Sequence, residues 1–207
     1  MATDAEPSRL GIYGGSFDPI HLGHLLLAET CRETCSLDDV WFLPCANPPH
    51  KPEGSLTPGK QRVEMIELAI AGHPGFGVCR SELERSGPSF TVDTLRQLHR
   101  QYPAKELFFL MGADSLADLP LWREPQAILE LAQIVAVNRG HRAPPDLDLL
   151  TKELGSLVQD RIQLITMPAI DISATELRQR IQNHRSTRYR VPRAVEAYIA
   201  QQGLYRT

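Results

Sequence analysis

Along the chain, short apolar runs alternate with longer stretches in which apolar residues return every three or four positions. The runs are Leu10–Tyr13, Val40–Pro44, Phe76–Arg80, Leu107–Met111, Ile134–Asn138 and Ile162–Thr166. Several are bounded by Gly or Pro, and this reads as strands buried on both faces, the signature of a parallel sheet. Between them the helical pattern has legible ends. Asp18-Pro19 predicts an N-cap and first-turn proline for a helix to about Cys35, and Thr57-Pro58 the same for a helix ending near Gly72. Val63, Ile66 and Ile70 form the apolar stripe of the second helix. Ser89–Tyr102 is a third. Ser173 opens a fourth, with Glu176 completing a capping box. Val191-Pro192 opens the last helix and Gly203 closes it. His141–Leu149, with Pro144-Pro145, reads as a surface loop.

Repeated strand–helix alternation predicts an α/β fold: a doubly wound, mostly parallel sheet of Rossmann-like kind with a small C-terminal helical part. Such sheets take ligands beyond the carboxyl ends of their strands. The 207 residues fit one domain over residues 9–207 after a polar, acidic tail at 1–8 that is expected to be disordered. Net charge is −3, which argues against a general nucleic-acid binder. The first residues lack the features of a signal peptide, and no run reaches membrane-spanning length. A cytoplasmic protein without membrane or nucleic-acid partners is expected. The four cysteines form no CxxC pair and read as free thiols rather than a zinc site.

The first strand runs into Gly14-Gly15-Ser16-Phe17-Asp18-Pro19-Ile20-His21-Leu22-Gly23-His24. Glycines at a strand-to-helix turn let backbone N–H groups approach a phosphate, and a helix N-terminus favours an anion. The stretch is neither a GxGxxG fingerprint nor a Walker A loop. His21 and His24 are three apart, so they share a helical face as two donors, with Gly23 removing bulk between them. Asp18 reads as the cap.

This stretch resembles the first signature of the HxGH nucleotidyltransferase superfamily, and Ile172-Ser173-Ala174-Thr175-Glu176-Leu177-Arg178 resembles its second, of ISSTxxR type. Within the superfamily the chain is similar to the bacterial nicotinate-nucleotide adenylyltransferases over about Arg9–Arg206. Four intermediate features carry that narrower likeness. Pro44–Lys51 resembles a PxxxPPHK loop. Gly87–Thr91 resembles a PSYT segment, with Phe90 in the tyrosine position. Met111–Ser115 resembles a GxDS turn, and Trp122 follows Asp114 by eight residues. Asn138-Arg139-Gly140 resembles a strand end usually followed by proline, which is missing here.

The resemblance implies adenylyl transfer from ATP to nicotinate mononucleotide, giving deamido-NAD and pyrophosphate, with Mg2+ arriving on ATP. It implies His21, His24 and Arg178 as catalytic groups. On the ATP side it implies Gly14, Gly15, Ser16, Phe17, His21, His24, Gly112, Asp114, Ile172, Ser173, Thr175 and Arg178. On the mononucleotide side it implies Asn47, His50, Lys51, Thr91, Trp122, Arg123 and Arg139. No carboxylate cluster suggests a dedicated metal site, so no protein ligand to a metal is expected. Read from the residues alone, Trp122 is first a core residue and Ser173 a cap, while a solvated charge is the lesser of the two readings of Arg178. Acceptor choice stays open between nicotinate mononucleotide, nicotinamide mononucleotide and phosphopantetheine. A nucleotide sensor without turnover is the reading from another class, and a homo-oligomer is also left open.

Overall fold

The computed structural model describes residues 8–48, 52, 54–140 and 145–206. Six strands form one sheet: β1 (Ser8–Gly15), β2 (Asp39–Pro44), β3 (Phe76–Val78), β4 (Lys105–Gly112), β5 (Gln133–Arg139) and β6 (Ile162–Met167). Their order is β3-β2-β1-β4-β5-β6, and all five pairings are parallel. Each predicted run is a strand, displaced by one or two residues at its ends. Ser8, assigned to the tail by its polar neighbours, is instead the first residue of β1 and pairs with Lys105.

Side chains alternate across a strand, so the sheet has two apolar faces. Tyr13, Val40, Phe42, Phe108, Leu110, Val135, Val137 and Ile165 point into one core. That core is covered by α1 (Leu22–Thr34), α2 (Gly59–Ile70), α7 (Ala174–Gln182) and α8 (Arg193–Gln202). Leu10, Ile12, Leu107, Phe109, Met111, Ile134 and Ala136 point the other way. There the cover is α3 (Thr91–Gln101), a 3-10 segment (Ala113–Leu121), α4 (Pro125–Leu131), α5 (Leu147–Leu154) and α6 (Leu157–Arg161). Cys31, Cys35 and Cys79 are buried free thiols, and Cys45 is half-buried.

Helix starts correct the sequence reading at two prolines. Asp18 is not a cap: the Asp18-Pro19 peptide is cis, and α1 begins four residues beyond Asp18, with His21 as its N-cap. Thr57 caps nothing either, since α2 starts at Gly59 behind Pro58 and the Thr57 carbonyl accepts from the Arg62 side chain. At Ser173 half of the capping box forms. Its Oγ accepts from the Glu176 N–H at 3.1 Å, but the Glu176 carboxylate turns to Arg180 and Arg190. Leu147–Leu149, placed in a surface loop by the prolines before them, are the first turn of α5, capped by Asp146. His141–Pro144 lie outside the described residues.

The order of strands reverses between β1 and β4, which both leave the sheet from its centre. Loops after β1 and β4 diverge to opposite faces there and open a crevice. The first signature, Gly112 and the end of β5 all border it.

Candidate active site

Two close approaches shape the turn after β1. A Cβ on Gly15 would lie 2.8 Å from the Phe17 ring, because Phe17 sits at φ 49° and folds its ring back beneath the turn. The ring is buried, packing edge-on to Tyr13 and Phe42. The glycine is therefore required by the protein's own aromatic core, and Phe17 has only its main chain to offer a ligand. Gly23 works the same way. A Cβ there would meet the His21 ring at 3.1 Å, so its missing bulk makes room for His21 rather than for a ligand. At Gly112 the space a Cβ would fill is open, so the backbone at the end of β4 can be approached closely.

His21 and His24 stack face to face, with ring centroids 3.6 Å apart and planes 18° from parallel. His24 Nδ1 accepts the His21 backbone N–H at 3.2 Å, which leaves its proton on Nε2. The buried His21 Nδ1 has no hydrogen-bond partner among the described residues. It faces the His24 backbone N–H across a reciprocal capping arrangement, so Nδ1 stands as the acceptor side and Nε2 carries the proton as well. The result is a pair of neutral donors side by side. Burial, and then the nearby Arg139 guanidinium, lower the His21 pKa to about 4. Burial, His21 and Arg139 hold His24 well below the usual histidine range. Arg139, expected on the mononucleotide side, thus also places its charge in the field of the histidine pair.

This arrangement makes stability pH-dependent. The unfolded chain binds protons at His21 near pH 6.5 and the folded chain only near 4, so stability falls as pH drops through that window. The loss from His21 is about 2 kcal/mol between pH 7 and 5. Burial raises the Glu82 carboxyl and acts in the opposite direction. Urea unfolding should show His21→Gln losing clearly less stability than wild type over this range; equal losses would contradict the assignment.

The second signature meets the first at Asp18. Arg178 donates from Nη1 to the Asp18 carbonyl at 2.7 Å and from Nη2 to Thr175 Oγ1 at 3.3 Å. The buried Asp18 carboxylate accepts from the Tyr205 hydroxyl at 2.5 Å and the Thr57 N–H at 3.2 Å. Three distant segments thus converge on one residue. At the start of α1 the Leu22 N–H is already used by the Arg190 carbonyl at 2.9 Å. Ile172 is buried in the core, leaving Ser173, Thr175 and Arg178 as the polar groups at the start of α7. Asp114 is exposed on the 3-10 segment after Gly112.

On the acceptor side, Asn47 is tied to the turn before α3: its Nδ2 donates to the Gly87 carbonyl, and its N–H to Ser89 Oγ at 3.2 Å. Thr91 is the first residue of α3. Arg123 lies over the Phe90 ring at 4.8 Å and reaches Asp93, so Phe90 serves as a platform for a cation. Trp122 is half-buried, its ring edge-on to Phe109 at 6.0 Å. It is therefore neither a core residue nor a free one. A cleft of about 480 Å3 lies on the Asn47 side, away from Trp122 and Arg123, and is bordered by Asn47, Thr57, Arg62, Gly87 and Pro88. His50 and Lys51 lie outside the described residues.

One residue escaped the sequence reading. Arg62 is 2% exposed, yet no carboxylate pairs with it among the described residues. Its guanidinium donates to three carbonyls: Thr57 at 2.8 Å, Ser16 at 2.9 Å and Cys45 at 2.7 Å. Burying an ion costs several kcal/mol unless its donors are satisfied, and these three bonds offset that cost. The available signal was Arg62 standing one helical turn from Ile66 on the apolar face of α2.

A parallel sheet reversing at β1 and β4, with paired histidines at one helix start and an arginine bridging from another, defines a nucleotidyltransferase of the HxGH class. Residues 12–180 match the cytidylyltransferase-like family. The chain is 47% identical over 201 residues to a Thermomicrobium roseum protein named "Probable nicotinate-nucleotide adenylyltransferase", covering 97% of this chain and 92% of that one. It is equally 47% identical to a Thermus thermophilus protein of the same name, covering 96% and 100%. The fold is similar to that of the Plasmodium falciparum nicotinic acid mononucleotide adenylyltransferase complexed with NaAD, with TM-score 0.78 and 23% identity over 96% and 97% of the two chains. The chain belongs to the nicotinate-nucleotide adenylyltransferases of the cytidylyltransferase-like family.

Proposed function

We propose that this enzyme transfers the adenylyl group of Mg·ATP to nicotinate mononucleotide in NAD biosynthesis. A phosphate oxygen of the mononucleotide attacks the α-phosphorus of ATP and forms the new P–O–P bond. The bond from the α-phosphorus to the bridging oxygen breaks, and pyrophosphate leaves with the electron pair. The nucleophile is already anionic near neutral pH, so the protein needs no base. Its task is positioning and charge stabilisation.

The observation that carries this reading is the stacked pair of neutral Nε2–H donors at the β1 turn, with Arg178 tied to the same turn through the Asp18 carbonyl. The turn at Gly14, Gly15 and Ser16 offers main-chain donors to the triphosphate, and the backbone at Gly112 leaves room for the nucleoside. Asp114, Ser173 and Thr175 complete the ATP side. Mg2+ is bound as part of the substrate. For the acceptor, Trp122 is a stacking face for the pyridine ring, with Asn47, Thr91, Arg123 and Arg139 around it and His50 and Lys51 beyond the described residues. Similarity to relatives named for nicotinate mononucleotide favours the acid over the amide. The buried free thiols suit a reducing compartment, and we place the enzyme in the cytosol on that ground. No described helix is long and apolar enough to cross a membrane.

Pyrophosphate release with Mg·ATP tests the reading against nicotinate mononucleotide, nicotinamide mononucleotide and phosphopantetheine, with a blank lacking acceptor. Nicotinate mononucleotide should far exceed the others. A preference for another acceptor would overturn the substrate, and ATP binding without release would overturn the reaction. Trp122→Ala should raise KM for the mononucleotide about tenfold and KM for ATP less than twofold, the scale of one lost ring contact. Equal rises in both would return Trp122 to a packing role.

A further inference from the structure

We infer that Arg62 is a positioning residue that holds the ATP loop and the acceptor loop in one register beneath the site where phosphates meet, with its charge paired directly to no carboxylate among the described residues. The inference rests on the adenylyl-transfer reading above and names a residue for it outside both signatures. Arg62 sits on the buried face of α2 with Val63, Met65 and Ile66. Its three acceptors come from three different segments. Ser16 belongs to the turn after β1, Cys45 to the end of β2 where the acceptor loop begins, and Thr57 to the residues leading into α2. The planar guanidinium fork reaches all three at 2.7–2.9 Å, a geometry no other side chain reproduces.

The pattern separates this residue from an ordinary structural arginine. Buried charges are as a rule paired with an opposite charge. Here every donor contact given for Arg62 goes to a carbonyl, so the cation keeps its net charge inside the fold. ATP and the mononucleotide bring several negative charges to the same region. Their phosphates draw on this charge over a short distance in a low-dielectric setting. The Ser16 carbonyl is thereby fixed, which limits the conformations open to the turn after β1. The neighbouring Asp18 carboxylate accepts the Thr57 N–H, so the segment that Arg62 grips is pinned from both ends.

The test compares Arg62→Lys and Arg62→Met with wild type at a temperature where circular dichroism shows each fully folded. Two quantities are measured: the Kd for Mg·ATP by calorimetry, and kcat and KM for pyrophosphate release. Arg62→Lys keeps the charge but cannot bridge three carbonyls. It should lower kcat at least tenfold with a smaller change in the Kd for ATP. Arg62→Met loses both and should weaken ATP at least tenfold as well. If Arg62→Met does not fold, Arg62→Lys alone decides. A merely structural arginine would lower the melting temperature but leave kcat within threefold and the Kd within twofold in folded protein, and that result overturns the inference. Failure of the substrate reading looks different: wild type would bind ATP without serving nicotinate mononucleotide, and the Kd comparison would still decide the role of Arg62.

Discussion

His24→Ala should lower kcat several hundredfold while leaving the fold intact. His24 is one of two stacked imidazoles, and its Nδ1 is committed to the His21 backbone N–H. The substitution removes one fixed Nε2–H donor and one helix-start hydrogen bond. Loss of a preorganised donor to developing charge costs on the order of 10²–10³ in kcat. The helix-start bond costs about 1 kcal/mol and the lost ring contacts with His21, Tyr13 and Phe17 about 1–3 kcal/mol more, together less than the stability of a domain of this size. The two effects therefore separate in one experiment: a large fall in kcat with a moderate fall in the urea midpoint. His24→Asn, which offers an amide N–H from a shorter side chain, should recover part of the loss. Turnover of His24→Ala within tenfold of wild type would remove the residue from the catalytic groups. Low pH should mimic neither variant, because burial keeps both rings neutral well below pH 6.5 in the free enzyme.

The strands were legible because they are buried on both faces, and continuous apolar runs such as Leu107–Met111 have few other homes. The histidine pair was legible because three-residue spacing puts both on one helical face wherever the helix starts. What spacing could not show was where it starts. Asp18-Pro19 has the residue types of a cap and first turn, but α1 begins only at Leu22 behind His21, and the buried Asp18 is spent on Tyr205 and Thr57 instead. Contacts of that kind span 187 and 39 positions and leave no local pattern. The same holds for Arg62, whose acceptors are backbone carbonyls and therefore carry no residue signature. The helices α4, α5 and α6 have seven, eight and five residues, too few turns for periodicity to stand out from neighbouring prolines.

Arg178→Ala should lower kcat/KM for ATP about a thousandfold, the scale seen when an arginine that stabilises a transferring phosphoryl group is removed. The argument is geometric. Residues 18 and 178 lie 160 positions apart, yet Arg178 Nη1 donates to the Asp18 carbonyl at 2.7 Å. That bond ties the guanidinium to Asp18, two residues beyond Ser16 on the turn after β1, and a second bond to Thr175 fixes its roll. Both acceptors are neutral, so the positive charge remains available to a departing pyrophosphate. Arg178→Lys keeps the charge without the fork and should lie between the two, recovering binding of ATP more than kcat. The opposite order, with kcat recovered and ATP binding still lost, would mean that Arg178 acts before the transition state and holds the ground-state triphosphate only. A kcat/KM within tenfold of wild type for Arg178→Ala would show instead that its bond to Asp18 joins the C-terminal helices to the sheet and takes no part in transfer.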